Sequence, residues 1–202
     1  MKKFITLALA LCMALSASVC ASAAEIDTDG GSGSTPVYLS STEDGTMEGE
    51  PSATAMSVTV PTALPMAMAQ TGDVTTADNC QIINNSYGAV RVKSVTISAE
   101  NGWSLTAFGD KSTLASEKVD SDQLGFAICI GDCEWAVTDN SNESAQALIS
   151  APINGCYMSG AGNSANNTVS VDYAAIVTPL STPVTNANIA NVVFVVEWDI
   201  AA

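Results

Sequence analysis

The sequence predicts an all-β chain with one folded domain: an antiparallel β-sandwich, Ig-like or jelly-roll-like, or a flattened barrel. Three observations predict it. Apolar and polar residues alternate in short runs between positions 56 and 198. Clusters of Gly, Asn and Ser separate those runs at short intervals, as turns do in sandwiches. Helical signals are confined to residues 112–123 and 185–190, each long enough for a turn or two.

The chain opens with Lys2 and Lys3, an apolar run over 4–15, and the small residues Ala21-Ser22-Ala23-Ala24. This order is that of a secretory signal peptide, with cleavage expected after Ala24. The run is too short for a membrane span, and no membrane insertion is expected. Cys12 and Cys20 leave with the leader, and Leu11 and Val19 ahead of them do not fit a lipid-anchoring motif. No carboxy-terminal sorting signal or anchor is expected either.

Residues 25–54 read as a flexible acidic tail, with Gly30-Gly31-Ser32-Gly33-Ser34 followed by Glu43, Asp44, Glu48 and Glu50. Such a segment buries too little apolar surface to offset its ordering entropy. Val37-Tyr38-Leu39 is its one piece suited to docking. The sandwich domain is expected over 55–202.

Within it, Met56, Val58 and Val60 alternate with Ser57 and Thr59 as a half-buried strand. Pro61 and Pro65 interrupt, so residues 65–69 read as an edge strand, and Thr71-Gly72-Asp73 as a turn. Gln81-Ile82-Ile83 is the next strand. Over 89–98, Val90 and Val92 share one parity and Val95 and Ile97 the other, which a bulge near Lys93-Ser94 reconciles. Trp103, Leu105 and Ala107 share a face, as do Leu124, Phe126, Ile128 and Ile130, with 134–137 as a hairpin partner. Val169, Val171, Tyr173 and Val177 mark another strand. The near-continuous apolar run 192–198 reads as a central strand covered on both faces.

Charge and composition exclude several functions. After leader removal four bases face 21 acids, a net charge of −17. Such a field repels nucleic acid and anionic lipid. The chain has no histidine, so the commonest general base and metal ligand are missing, and no enzymatic activity is expected. Glu197 and Asp199, two apart on the last strand, have the spacing of a carboxylate pair, but polar residues at a strand's solvent end are the simpler reading.

Four cysteines remain in an exported chain: Cys80, Cys129, Cys133 and Cys156. They read as two disulfides. In the Cys129–Cys133 hairpin a two-residue Gly131-Asp132 turn puts the two thiols on opposite faces, whereas a three-residue loop lets them bridge. The pattern Cys129–Cys133 with Cys80–Cys156 is slightly preferred over the crossed ones. Zinc is the rival, without a C-x₂-C companion to support it.

No cofactor is expected, with calcium the one candidate ion. Asp139, Asn140 and Glu143 supply oxygen ligands without EF-hand spacing, and a polar turn is the simpler reading. Asn84, Asn142 and Asn166 each begin an N-x-Ser/Thr sequon. Among the aromatics, Trp135 and Tyr157 are the candidates for an exposed ligand-binding platform, while Trp103 and Trp198 fit the core.

Trp103-Ser104-Leu105 and Trp198-Asp199-Ile200 are both Trp-x-aliphatic. With the leader and the strand pattern over 55–200, this layout resembles the WxL-type surface proteins of Gram-positive bacteria. The resemblance implies an all-β domain and non-covalent attachment to peptidoglycan, with Trp103, Leu105, Trp198 and Ile200 as motif residues. Ile200 stands where that family has leucine. The Asn-rich turn and final Trp strand are also similar to secreted matrix proteins of the TasA/camelysin type, which implies a fibre subunit. The expected function is therefore a secreted, non-catalytic sandwich at the cell surface. Its partner is peptidoglycan or another surface polymer; alternatively it is a structural subunit assembling with itself, or a carbohydrate-binding module.

Overall fold

The computed structural model describes residues 23–39 and 55–200. The leader expected over 1–24 lies outside them except for Ala23 and Ala24, as does the 40–54 part of the expected tail. In chain order the strands begin with β1 (Ala23–Glu25), β2 (Ser32–Leu39), β3 (Val58–Pro61), β4 (Leu64–Met68), β5 (Val74–Thr76), β6 (Gln81–Asn84) and β7 (Val90–Ala99). They continue with β8 (Ser104–Thr106), β9 (Gln123–Ile130), β10 (Ala136–Val137), β11 (Ala145–Ile149), β12 (Tyr157–Met158), β13 (Thr168–Val177) and β14 (Ala187–Trp198). One helical turn, α1 (Ser112–Ala115), lies between β8 and β9.

These strands form two sheets. One runs β1-β3-β6-β13-β9-β10, with β8 also on β9; the other runs β11-β7-β14-β2-β4-β5, with β12 also on β7. Pairing is antiparallel except for β2 with β4 and β8 with β9. The sheets do not close into a barrel, so of the two expected architectures the sandwich is the one formed.

The period-two pattern explains the packing. Leu124, Phe126, Ile128 and Ile130 of β9 and Val171 and Tyr173 of β13 point inward from one sheet. Val192, Phe194 and Val196 of β14 and Val90, Val92, Val95 and Ile97 of β7 meet them from the other. The parity change in β7 is resolved as expected: opposite β14 the register slips between Ser94 and Val92, which leaves Lys93 as the extra, exposed residue. The bulge turns Val95 and Ile97 back onto the core face.

Several expectations are corrected. The tail does not begin to be flexible at 25: Ser32–Leu39 forms β2, an interior strand between β14 and β4. Its backbone ladders with β14 on one side and β4 on the other hold it there. Gly33 fits because a Cβ would approach Val60 to 3.0 Å, and the Thr35 hydroxyl donates to the Pro61 carbonyl. The 65–69 segment is not an edge strand, since β4 pairs on both sides and β5 forms the edge. Residues 185–190 are not helical. Asn186 takes a positive φ of 50° and β14 begins at Ala187. Strands β11 and β12 were not legible. In β11 the inward residues are Gln146 and Ile149, and the Gln146 amide is satisfied by the Asp139 backbone at 2.8 and 3.1 Å.

A further polar contact crosses between the sheets. Tyr173, buried on β13, stacks on Phe126 with ring centroids 6.1 Å apart. Its hydroxyl donates to the Pro65 carbonyl at 2.6 Å and accepts from the Ala77 amide at 3.1 Å, both on the other sheet's side. Burial raises its pKa well above the ordinary range. Tyr173→Phe keeps the ring but strands both backbone partners. It is expected to cost about 1–3 kcal/mol, read as a lowered denaturant midpoint at constant m-value. An unchanged midpoint would show that water replaces the hydroxyl.

Candidate functional site

The loops fall at two ends of the sandwich, about 30 Å apart along β7 at ~3.3 Å per residue. At the end where β7 begins, the β6–β7 loop is braced by a buried amide. Asn84 donates through Nδ2 to the carbonyls of Gly88 and Ser159 at 2.8 and 2.9 Å, and its Oδ1 accepts from the Ser86 amide at 2.9 Å. The Ser86 hydroxyl is bonded in turn to the backbone of Ser57. Asn84 and Ser86 are fully buried, so the first sequon is structural. The same lattice carries Tyr87 outward at 76% exposure.

Two further loops meet beside it. The β9–β10 tip closes as a two-residue turn, with the Cys133 amide donating to the Ile130 carbonyl at 3.2 Å. Of the two loop lengths weighed from sequence, this is the one that separates the thiols. Cys129 Sγ donates to the Cys133 carbonyl at 2.8 Å, while Cys133 Sγ donates to the Asn154 carbonyl at 2.6 Å and lies 3.5 Å from Cys156 Sγ. Cys129, Cys133 and Cys156 are free thiols, so the preferred pattern of Cys129–Cys133 with Cys80–Cys156 is not formed. Cys80 is buried elsewhere, its carbonyl accepting from the Val171 amide at 2.8 Å.

Trp135 and Tyr157, the two platform candidates, flank this thiol contact in sequence and are 52% and 43% exposed. The structure thus brings both to the end that also bears Tyr87. Sequence reasoning passed over Tyr87 because it sat in a turn; a lone aromatic amid Asn, Ser and Gly was the available signal.

The two Trp-x-aliphatic motifs do not converge. Trp198, opposite Val90 on β7, is half-buried at this end with its ring over Gly88, where a Cβ would come within 2.9 Å. Its amide donates to Asp29 Oδ1 at 2.9 Å, and Ile200 beyond it is exposed. Trp103 follows a tight turn at the opposite end, half-buried, with Leu105 buried on β8.

The expected calcium loop lies at that opposite end. Asp139 Oδ1 accepts from the Ser141 amide at 2.8 Å, and the Ser141 hydroxyl, then that amide, hold the carboxyl below the usual range. Asn140 Oδ1 accepts from Thr106 Oγ1 and the Ala107 amide, both at 2.9 Å. The Asn140 oxygen thus ties the loop to β8 and its exit, and Glu143 is exposed. Among the described residues, no group of three or more His, Cys, Asp or Glu is placed to hold a metal ion.

Glu197 sits on the solvent face of β14 in an ion-pair cluster. Its Oε1 lies 2.8 Å from Arg91 Nη2 and its Oε2 2.9 Å from Lys93 Nζ, while Arg91 Nη1 is 3.6 Å from Asp199. Arg91 and Lys93, two apart on β7, share the outer face and so both reach the one carboxylate. The Lys93 hydrogen bond, then that of Arg91, holds Glu197 below the usual carboxylate range against a partial loss of solvation. A general acid needs the opposite shift. Among the described residues, no helix is long and apolar enough to cross a membrane.

Comparison of the chain with family models, with curated proteins and with solved structures finds no match.

Because the folded-state pKa of Glu197 is lowered, its stabilisation is fully present above the ordinary glutamate value of about 4.3. It is lost as pH falls through the lowered value. Glu197→Gln is therefore expected to be less stable than wild type at pH 7 and equal to it near the acid end of the native range. Urea melts of both proteins across that range check this. A gap that stays constant with pH would mean that the carboxylate's charge is not what stabilises.

Proposed function

We propose that this chain is an exported, non-catalytic β-sandwich that works at the surface of a Gram-positive cell and engages the sugar rings of a surface polymer such as peptidoglycan. The observation that carries this reading is the gathering of Tyr87, Trp135 and Tyr157 at one end, all exposed, the first two on loops and the third at the start of β12, with the Tyr87 loop braced from beneath by Asn84. Aromatic faces stack on sugar rings without needing positive charge, which suits a chain whose net charge disfavours electrostatic attraction to anionic polymers. The signal-peptide pattern and the resemblance to WxL-type proteins support the same placement. The carboxylates that might have served a glycosidase favour this reading too, since Glu197 is pinned as an anion by two cations.

Sedimentation with purified peptidoglycan tests it. Wild-type protein is expected in the pellet. Trp135→Ala and Tyr157→Ala are each expected to weaken binding by about 10-fold, since stacked aromatic groups contribute ~0.5–1.5 kcal/mol beyond their buried area. Wild-type protein left wholly in the supernatant overturns the proposal.

A second reading, a fibre or matrix subunit, is favoured by β2. This amino-terminal strand fills an interior place in its sheet, paired with β14 from Ala187 to Val195 and with β4 from Leu64 to Met66. Main-chain ladders of this kind accept an equivalent strand from another copy. Deleting residues 25–39 is expected to abolish cooperative unfolding, and a synthetic 25–39 peptide to restore it. Concentration-dependent filaments by electron microscopy would then favour assembly, and a wild-type protein that stays monomeric on light scattering would remove it.

A further inference from the structure

The contact between Cys133 and Cys156 joins the two sheets. Cys133 belongs to the β9–β10 tip of one sheet, and Cys156 immediately precedes β12 of the other. The two loops that carry them nest backbone to backbone. A Cβ at Gly131 would come within 2.6 Å of the Gly155 carbonyl oxygen, and one at Gly155 within 3.0 Å of Cys133 Sγ. Both glycines take positive φ, 56° and 93°, a region that side chains rarely adopt. The approach is therefore built into the backbone, and a 3.5 Å sulfur separation leaves only side-chain rotation and a small closure to the ~2.05 Å of a disulfide.

We infer that Cys133 and Cys156 are an oxidation site: they close into an inter-sheet disulfide when the exported chain meets a small-molecule disulfide, with Cys133 as the entry thiol. Cys133 is the accessible member, while Cys156 is fully buried. The Cys133 thiolate attacks one sulfur of the oxidant, R–S–S–R, forming a Cys133–S–S–R mixed disulfide and releasing one thiol. Cys156 then gives its proton to water and attacks Cys133 Sγ, displacing the second thiol. Two cysteines are oxidised and one small disulfide is reduced to two thiols. Burial pushes the Cys156 thiol up to about 12, which agrees with its role as the second, resolving partner and not the first attacker. Cys129 is directed at the Cys133 carbonyl and takes no part.

The test uses the full chain purified in reductant, then exposed to glutathione disulfide. No Lys or Arg follows Lys118, so the cysteines are mapped after cleavage before aspartate, which places Cys129, Cys133 and Cys156 in three separate peptides. The expected product links peptide 132–138 to peptide 139–171, and Cys129→Ser forms it at the wild-type rate. Cys156→Ser is expected to stop at a glutathione adduct on Cys133. The linked wild-type chain is expected to melt above its reduced form, a difference that Cys133→Ser removes. A link between peptides 122–131 and 132–138, or no link between 132–138 and 139–171 in wild-type protein, overturns the inference. The wild-type map decides even if a variant fails to fold.

Discussion

The backbone pairing of β14 is the constraint on which the rest of the structure depends. This strand ladders with β7 along one edge and β2 along the other, so its hydrogen-bonding groups are satisfied on both sides. That lets Val192, Phe194 and Val196 sit fully buried against the facing sheet, where an unpaired amide would be costly. Its register sets everything beside it. Slipping by one residue would send Phe194 outward and Val193 inward, and it would also part Glu197 from Arg91 and Lys93. The bulge at Lys93 lets β7 follow β14 through a change of parity without losing either its core face or its ladder.

Two physical categories divide what was legible in the sequence from what was not. Where one face of a strand is buried, the pattern must show it, and β3, β7, β9 and β13 were readable for that reason, as was the bulge; β14 was found by its apolar run, but its burial alternates and its outer face is not the covered one that the run predicted. Where a strand is held chiefly by its backbone, side chains carry no pattern. Residues 30–34 are all glycine or serine, the composition of a flexible tail, yet the ladder to β14 starts within them at Ser32. Strand β11 hid behind Gln146, whose burial depends on a partner across a loop. Residues 185–190 read as helical because Asn186-Ala187-Asn188 carries no β-branched signal between Thr185 and Ile189.

The same division holds for the candidate site. Trp135 and Tyr157 were recognisable as aromatics outside any apolar run, but their assembly at one end with Tyr87 depends on long-range strand pairing within each sheet, such as Tyr157 with Arg91. The cysteine pattern failed at a decision the sequence had correctly posed. Two-residue and three-residue turns give opposite facings for Cys129 and Cys133, and positive φ at Gly131 with the Ile130–Cys133 hydrogen bond selects the shorter. Once Cys133 leaves the face of Cys129, its neighbour must come from the other sheet, and Gly155 clears the space for Cys156 to be that neighbour.

The two ends of the sandwich are therefore built by different means. At the Trp103 end, Asp139 and Asn140 spend their side-chain oxygens on backbone and hydroxyl groups of their own loop and of β8 and its exit, so polar residues there act as local braces. At the Trp198 end the braces lie underneath: Asn84 and Ser86 are fully buried and bind three separate stretches of backbone, at Ser57, Gly88 and Ser159. Exposed rings are costly in water unless something apolar or sugar-like covers them, and Tyr87, Trp135 and Tyr157 all stand exposed at this end, among exposed polar residues such as Asp132 and Glu134. The buried braces fix the backbone beneath them, and that combination is why the proposed recognition surface is placed at this end and not at the one bearing Trp103.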